Sequence, residues 1–174
     1  WRRYIPVMTI SKRIGTSWTN SSASVSTIKL LGSCLGLGYI KKAPGTFGSI
    51  PGIILFLLTR NMQTWVQILV FMIFCLLAIG IAEKIEKIDR SKDPEEVVID
   101  EAAGMWLSLF LIWDASILTI IAGFVLFRLF DILKPFPVNL FQTFRGGTGI
   151  LADDLAAGML TNFILRLLLL RGIL

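Results

Sequence analysis

Five carboxylates stand in three short contexts, each at the border of an apolar run: Asp100 and Glu101 in VVIDEAAGMW, Asp131 in FRLFDILKPFP, and Asp153 with Asp154 in GGTGILADDLAAG. A carboxylate at the edge of a bilayer-like segment is costly unless it is paired or binds something. The chain has no histidine, and its two cysteines, Cys34 and Cys75, lie in glycine-rich or apolar surroundings without metal-ligand spacing. Several hard oxygen donors without imidazole or a thiolate pair suit Mg²⁺, Mn²⁺ or Ca²⁺ rather than zinc. Such ions commonly act on phosphate groups, neutralising their oxygens and activating water. The run APGTFGS, residues 43–49, adds the backbone amides of Gly45 and Gly48 and the hydroxyls of Thr46 and Ser49 ahead of an apolar stretch. Amides at a helix start favour an anion. Arg128 and Lys134 flank Asp131 at three residues on either side. On a continuing helix they share one face, where they would hold phosphate or simply neutralise Asp131.

Each feature has a plainer reading. Asp100-Glu101 and Asp153-Asp154 would suit the N-termini of the helices that follow them. The glycine–proline run would merely turn the chain, and Arg128 with Asp131 would be a structural ion pair. Asp89, Asp93, Glu95 and Glu96 read as a solvated face, and Trp65, Trp106 and Trp113 as interface markers. Absences narrow the chemistry further. Without histidine there is no imidazole base, nucleophile or ligand. A Cys-x5-Arg phosphatase needs arginine where Ile40 and Ile81 stand, and neither an Asp-x-Asp pair nor a DGxxAR run occurs. A metal-activated water is the favoured nucleophile, with a covalent aspartyl intermediate left open.

The elements must bring these contexts together. The chain is 55% hydrophobic with mean hydropathy +0.75, too apolar for an ordinary soluble domain of 174 residues. Ile50–Leu58 is apolar as far as Arg60, and Trp65–Ala82 is the strongest candidate span. Residues 83–100 are charged, with a break at Asp93-Pro94. Ala102–Trp113 and Ile117–Phe130 form a hairpin turned at Asp114 and Ser116, and residues 134–150 read as a loop before a last helix from Asp153 to Leu170. The expected fold is all-α: a small polytopic membrane bundle of about five short or full spanning helices. The net charge is +5, and no acid precedes Glu83. Residues 1–27 read as a basic, partly disordered cytoplasmic arm drawn to anionic headgroups, a targeting peptide being the alternative; Met8 is a candidate initiator. Residues 28–174 form the membrane-embedded domain. The basic residues border apolar segments and form no soluble patch, which argues against nucleic acid. Positive-inside bias places the arm, Lys41-Lys42, residues 83–100 and the 128–145 loop in the cytoplasm, with Arg60 and Arg171 outside. That topology alone brings all three acidic contexts to one membrane face.

Taken together, APGTFGS, VVIDEAAGMW, FRLFDILKPFPV and GGTGILADDLAAGM resemble the phosphatidylglycerophosphatase A family over roughly residues 30–165. The resemblance implies an integral-membrane, Mg²⁺-dependent phosphatase, in the bacterial inner membrane with its site facing the cytoplasm. Its implied reaction removes the terminal phosphate of phosphatidylglycerophosphate, a step toward cardiolipin. It carries over Asp100, Glu101, Asp131, Asp153 and Asp154 as metal or catalytic carboxylates. Gly45, Thr46, Gly48 and Ser49 fall on the family's glycine-rich run, and Lys134 in its DxxKP element. The competing class is a small transporter or ion-binding subunit using the same carboxylates. Transporter sites usually lie at the midplane between internal repeats, and neither is evident here.

Overall fold

The structure is a computed structural model that describes residues 18–91, 94–136, 138, 140 and 147–174, with side chains from residue 24. Among the described residues all regular structure is helical: α1 (Trp18–Gly32), α2 (Pro44–Thr59), α3 (Thr64–Asp89), α4 (Ile99–Leu109), α5 (Ile117–Leu133) and α6 (Gly147–Leu170), with a short 3₁₀ turn at Leu37–Tyr39. Helix α1 runs across the 27/28 boundary between arm and domain; residues 1–17 lie outside the described residues.

Helix α4 is the axis of the bundle. Ala102, Ala103, Met105 and Leu109 are fully buried, and α2, α3, α5 and α6 all touch the helix. Close approach is permitted by glycines facing it. A Cβ at Gly52 would strike Ala102 O and the Trp106 amide, and one at Gly158 would strike Gly104 O. Helices α2, α4 and α6 therefore lie backbone against backbone and run the same way. Trp106 is 1% exposed beneath the rings of Phe71 and Phe74, at centroid distances of 5.2 and 5.5 Å. It is core rather than the interface marker expected; Trp65 and Trp113 are exposed.

Several helix ends differ from the sequence reading. The APGTFGS run is not a loop: Pro44 starts α2, where a missing N–H costs nothing. Ala43 before it is left-handed, φ 57°. Helix α4 stops at Leu109 rather than Trp113. Its last carbonyls would be orphaned, but Asn162 Nδ2 donates to Leu107 O, Ser108 O and Phe110 O at 3.0–3.1 Å. Ser116 caps α5 by accepting from the Thr119 N–H at 3.1 Å, as the tight turn at Asp114 and Ser116 requires. Helix α6 begins at Gly147, not Asp153, because Gly147 fits against Ile79 O and Glu83 of α3. Of the 134–150 loop, positions 137, 139 and 141–146 lie outside the described residues, as do 92 and 93 at the Asp93-Pro94 break.

Among the described residues one helix, α3, is long and apolar enough to cross a membrane, and α2 is a shorter apolar helix.

Candidate active site

Because α2 and α4 lie parallel, their N-termini meet at one end of the bundle. The last turn of α5 and the second and third turns of α6 arrive at the same end. These elements enclose a cavity of about 270 Å³ whose wall carries Asp100, Glu101, Asp131, Asp153 and Asp154, together with Arg128, Lys134 and Gly45. The three acidic contexts, far apart in sequence, thus share one site.

The carboxylates divide into two sets. Asp100, Glu101 and Asp154 each offer an oxygen within 4.8 Å of the other two. Asp131 is held by Arg128 Nη1 at 2.5 Å, and Asp153 accepts from Lys134 Nζ. Glu101 and Asp154 make no ion pair among the described residues. The plainer reading of the Asp153-Asp154 pair, a helix N-cap, does not apply: both lie well inside α6 and are at most 8% exposed. Asp100 and Glu101 do occupy the first turn of α4, where the helix dipole favours negative charge. That contribution, at most ~2 kcal/mol, is small against the cost of crowding buried carboxylates. A hard cation would supply the missing counter-charge. Glu101 Oε2 is buried without a hydrogen-bond partner, and an all-oxygen donor set suits Mg²⁺.

The two basic residues are built into the site rather than draped over it. Arg128 and Asp131 side chains are 16% and 12% exposed, and Arg128 Nε is buried without a partner. Lys134 does not extend the face of α5 as the three-residue spacing suggested. The helix ends at Leu133, and Lys134, left-handed at φ 43°, turns its side chain to Asp153 on α6. Burial works against its charged form, but the bond to Asp153 and the charges of Asp154 and Asp131 outweigh it, so its pKa is raised.

The glycine run contributes unequally. Gly45 lines the cavity, and a Cβ there would strike Glu101 Oε1 and lie 2.8 Å from Arg128 Nη1. As the second residue of α2, its N–H has no carbonyl one turn behind it within the helix. Gly48 packs on Val98, and the Ser49 hydroxyl, fully buried, donates to Gly45 O at 2.7 Å. Thr46 is half-buried on the same turn and is not part of the cavity wall. Sequence reasoning missed Glu95, set among the solvated acids, which reaches the cavity rim while remaining exposed. It also missed the strap that aims the first turn of α4. The Val98 N–H donates to Gly32 O at 2.9 Å, and Gly38 lies directly against Glu96 O. Cys34 joins this strap through Sγ to Val98 O at 3.8 Å. Burial, then the charges of Asp100 and Glu101, push its thiol up to about 12, so it is no thiolate nucleophile.

The profile of the phosphatidylglycerophosphatase A family matches residues 30–169. A Haemophilus influenzae phosphatidylglycerophosphatase A is 36% identical over 137 residues, covering 78% of this chain and 84% of the relative. The Escherichia coli phosphatidylglycerophosphatase A is 32% identical over 137 residues, covering 78% and 80%. A Bacteroides thetaiotaomicron protein, provisionally named a phosphatidylinositol-3-phosphatase, is 36% identical over 143 residues, covering 78% and 89%. No solved structure matches the chain. The chain belongs to the phosphatidylglycerophosphatase A family and is a phosphatase.

Proposed function

We propose that the protein is an integral-membrane, Mg²⁺-dependent lipid phosphatase that converts phosphatidylglycerophosphate to phosphatidylglycerol and phosphate, on the route to cardiolipin. The observation that carries this reading is the clustering of Asp100, Glu101 and Asp154 beside Arg128 and Lys134 in one cavity of a chain of this family. In this reading Asp100, Glu101 and Asp154 hold the ion, with Asp131 and Asp153 adjoining. Bound there, Mg²⁺ supplies charge neutralisation for phosphate oxygens and a more acidic water. Arg128 and Lys134 bind the phosphate oxygens, and the Gly45 amide, at the positive end of α2, faces the same anion. Asp131 lies close enough to Glu101 and Asp154 for their charges to interact, and in this reading it is the proton acceptor for the attacking water. Asp153 holds Lys134 in place.

Membrane immersion is supported by the outward faces. The most apolar window of α3 is only 28% buried inside the protein, unlike a soluble core helix. Ile54 and Leu58 on α2, Leu76 on α3, Ile121 and Val125 on α5, and Phe163 on α6 are all more than half exposed. Such a continuous apolar exterior belongs in hydrocarbon. Lys41, Lys42, Lys87 and Lys134 lie toward the site end, and this positive-inside bias supports a site on the cytoplasmic face of a bacterial inner membrane.

The Bacteroides relative's name favours a second substrate, phosphatidylinositol 3-phosphate, with the same phosphomonoester chemistry. Phosphate release from each lipid by the purified protein, in EDTA and after Mg²⁺ is restored, separates the readings. Release from phosphatidylglycerophosphate is expected, lost in EDTA and regained with Mg²⁺. Full turnover in chelator would overturn the metal, and release from the inositol lipid alone would overturn the substrate.

A further inference from the structure

A second cavity, about 420 Å³, opens at the end of the bundle opposite the site, between the α4–α5 turn and the last turns of α6. Its wall is mostly apolar, from Leu111, Ile112, Trp113, Leu169 and Leu170, with two charged residues, Arg166 and Asp114. The Arg166 guanidinium is held in a fixed orientation. Nε donates to Asn162 Oδ1 at 2.8 Å, and Nη2 donates to Phe110 O and Leu111 O, both at 3.1 Å. All these acceptors are neutral, so none of them offsets its positive charge. Neither Arg166 nor Asp114 makes an ion pair among the described residues, although both line the same cavity. The cavity thus presents one oriented cation, one carboxylate and an apolar trough.

We infer that this cavity binds a zwitterionic glycerophospholipid, with its phosphate on Arg166, its ammonium on Asp114 and an acyl chain along Leu169 and Leu170. The match is one of charge and shape: phosphate and ammonium are adjacent on such a headgroup, and an anionic lipid without the amine would leave Asp114 facing a second negative charge. Trp113, half exposed beside the cavity, has an amphipathic ring that suits contact with a lipid headgroup drawn in against the bundle. The inference rests on the membrane reading above but not on the catalytic one, since none of these residues belongs to the active site.

Sodium carbonate extraction of membranes containing the wild-type protein comes first; release of the chain would overturn both this inference and the membrane reading. The protein is then placed in nanodiscs holding equal parts phosphatidylethanolamine and phosphatidylmethanol, which share the phosphate and differ in the ammonium. Lipids retained after detergent transfer are counted by native mass spectrometry. One phosphatidylethanolamine per chain is expected, with preference over phosphatidylmethanol. Asp114→Asn should abolish that preference, and Arg166→Gln should weaken retention of both lipids by roughly tenfold, the size of one lost charge-assisted contact. Turnover at the active site should be unchanged in Asp114→Asn. Equal retention of the two lipids by the wild type, or an unaltered preference in Asp114→Asn, overturns the inference even if Arg166→Gln fails to fold.

Discussion

A methyl group on Gly45 would point into the candidate active site, against Glu101 Oε1 and both terminal nitrogens of Arg128, at 2.8 and 2.9 Å. Neither neighbour can yield freely: Glu101 is one of three clustered acids, and Arg128 is committed to Asp131. Gly45→Ala should therefore cut kcat/KM by about ten- to a hundredfold, the kinetic equivalent of a modest overpacking strain. Phe47→Leu, two residues on and partly exposed, should stay near wild type. Steady-state kinetics with a folding check by circular dichroism decide it; a fully active Gly45→Ala would remove the glycine from the site. The carboxylates were legible in sequence because each is expensive where it stands, and five such positions need a common reason. Their division of labour was not legible. It depends on which acid Arg128 and Lys134 reach, and Lys134 reaches Asp153 only because the chain turns left-handed at the end of α5.

Between elements, the site is set by how closely α4 and α6 approach. Gly104 lies over Asp154 O, where a Cβ would sit 2.6 Å from that carbonyl and 2.7 Å from the Phe127 ring. The same contact fixes the spacing of Asp154 from Asp100 and Glu101 one turn earlier on α4. Gly104→Ala should thus cost about 1–3 kcal/mol of stability and also raise the Mg²⁺ concentration needed for half-maximal activity. Gly80→Ala is the contrasting substitution, because nothing stands within 4 Å of its Cβ position on α3. It should be neutral or stabilise by up to ~1 kcal/mol through helix propensity. Denaturant titration in detergent and a Mg²⁺ titration check both variants; Gly104→Ala with unchanged stability and Mg²⁺ response would disconnect the packing from the site. Helix ends were the least legible elements for the same physical reason. The glycines of residues 43–49 and 147–149 look like loop formers by propensity, yet within helices Gly48 makes room for the Val98 side chain and Gly147 for the backbone of α3. A single sequence does not distinguish a glycine chosen for flexibility from one chosen for small size.

At the scale of the whole molecule, the charged ends and apolar flanks define an axis. The site end carries Lys41, Lys42, Lys87 and Lys134, and the other end carries Arg60, Asp114, Arg166 and Arg171. In the membrane orientation proposed above, helix α3, at ~39 Å for its 26 residues, would exceed the ~30 Å hydrocarbon core, and its charged last turns would emerge on the site side. Helix α4, at ~16 Å for 11 residues, spans only about half that thickness. A helix that ends inside hydrocarbon must have its last carbonyls satisfied by protein, and Asn162 and Arg166 do this for residues 107, 108, 110 and 111. The α4–α5 turn should then lie deeper than Arg60, protected by the bundle yet on the far side from the site. Single cysteines at positions 42, 87, 60 and 114, in a Cys34→Ser, Cys75→Ser background, test this with a membrane-impermeant maleimide on sealed vesicles of known orientation. Positions 42 and 87 should label only from the cytoplasmic side and position 60 only from the other. Position 114 should label from that other side more slowly than position 60. Labelling of 87 and 60 from one side would break the axis. Fast labelling of 114 from the cytoplasmic side would mean that the hairpin of α4 and α5 returns without reaching the opposite half of the membrane.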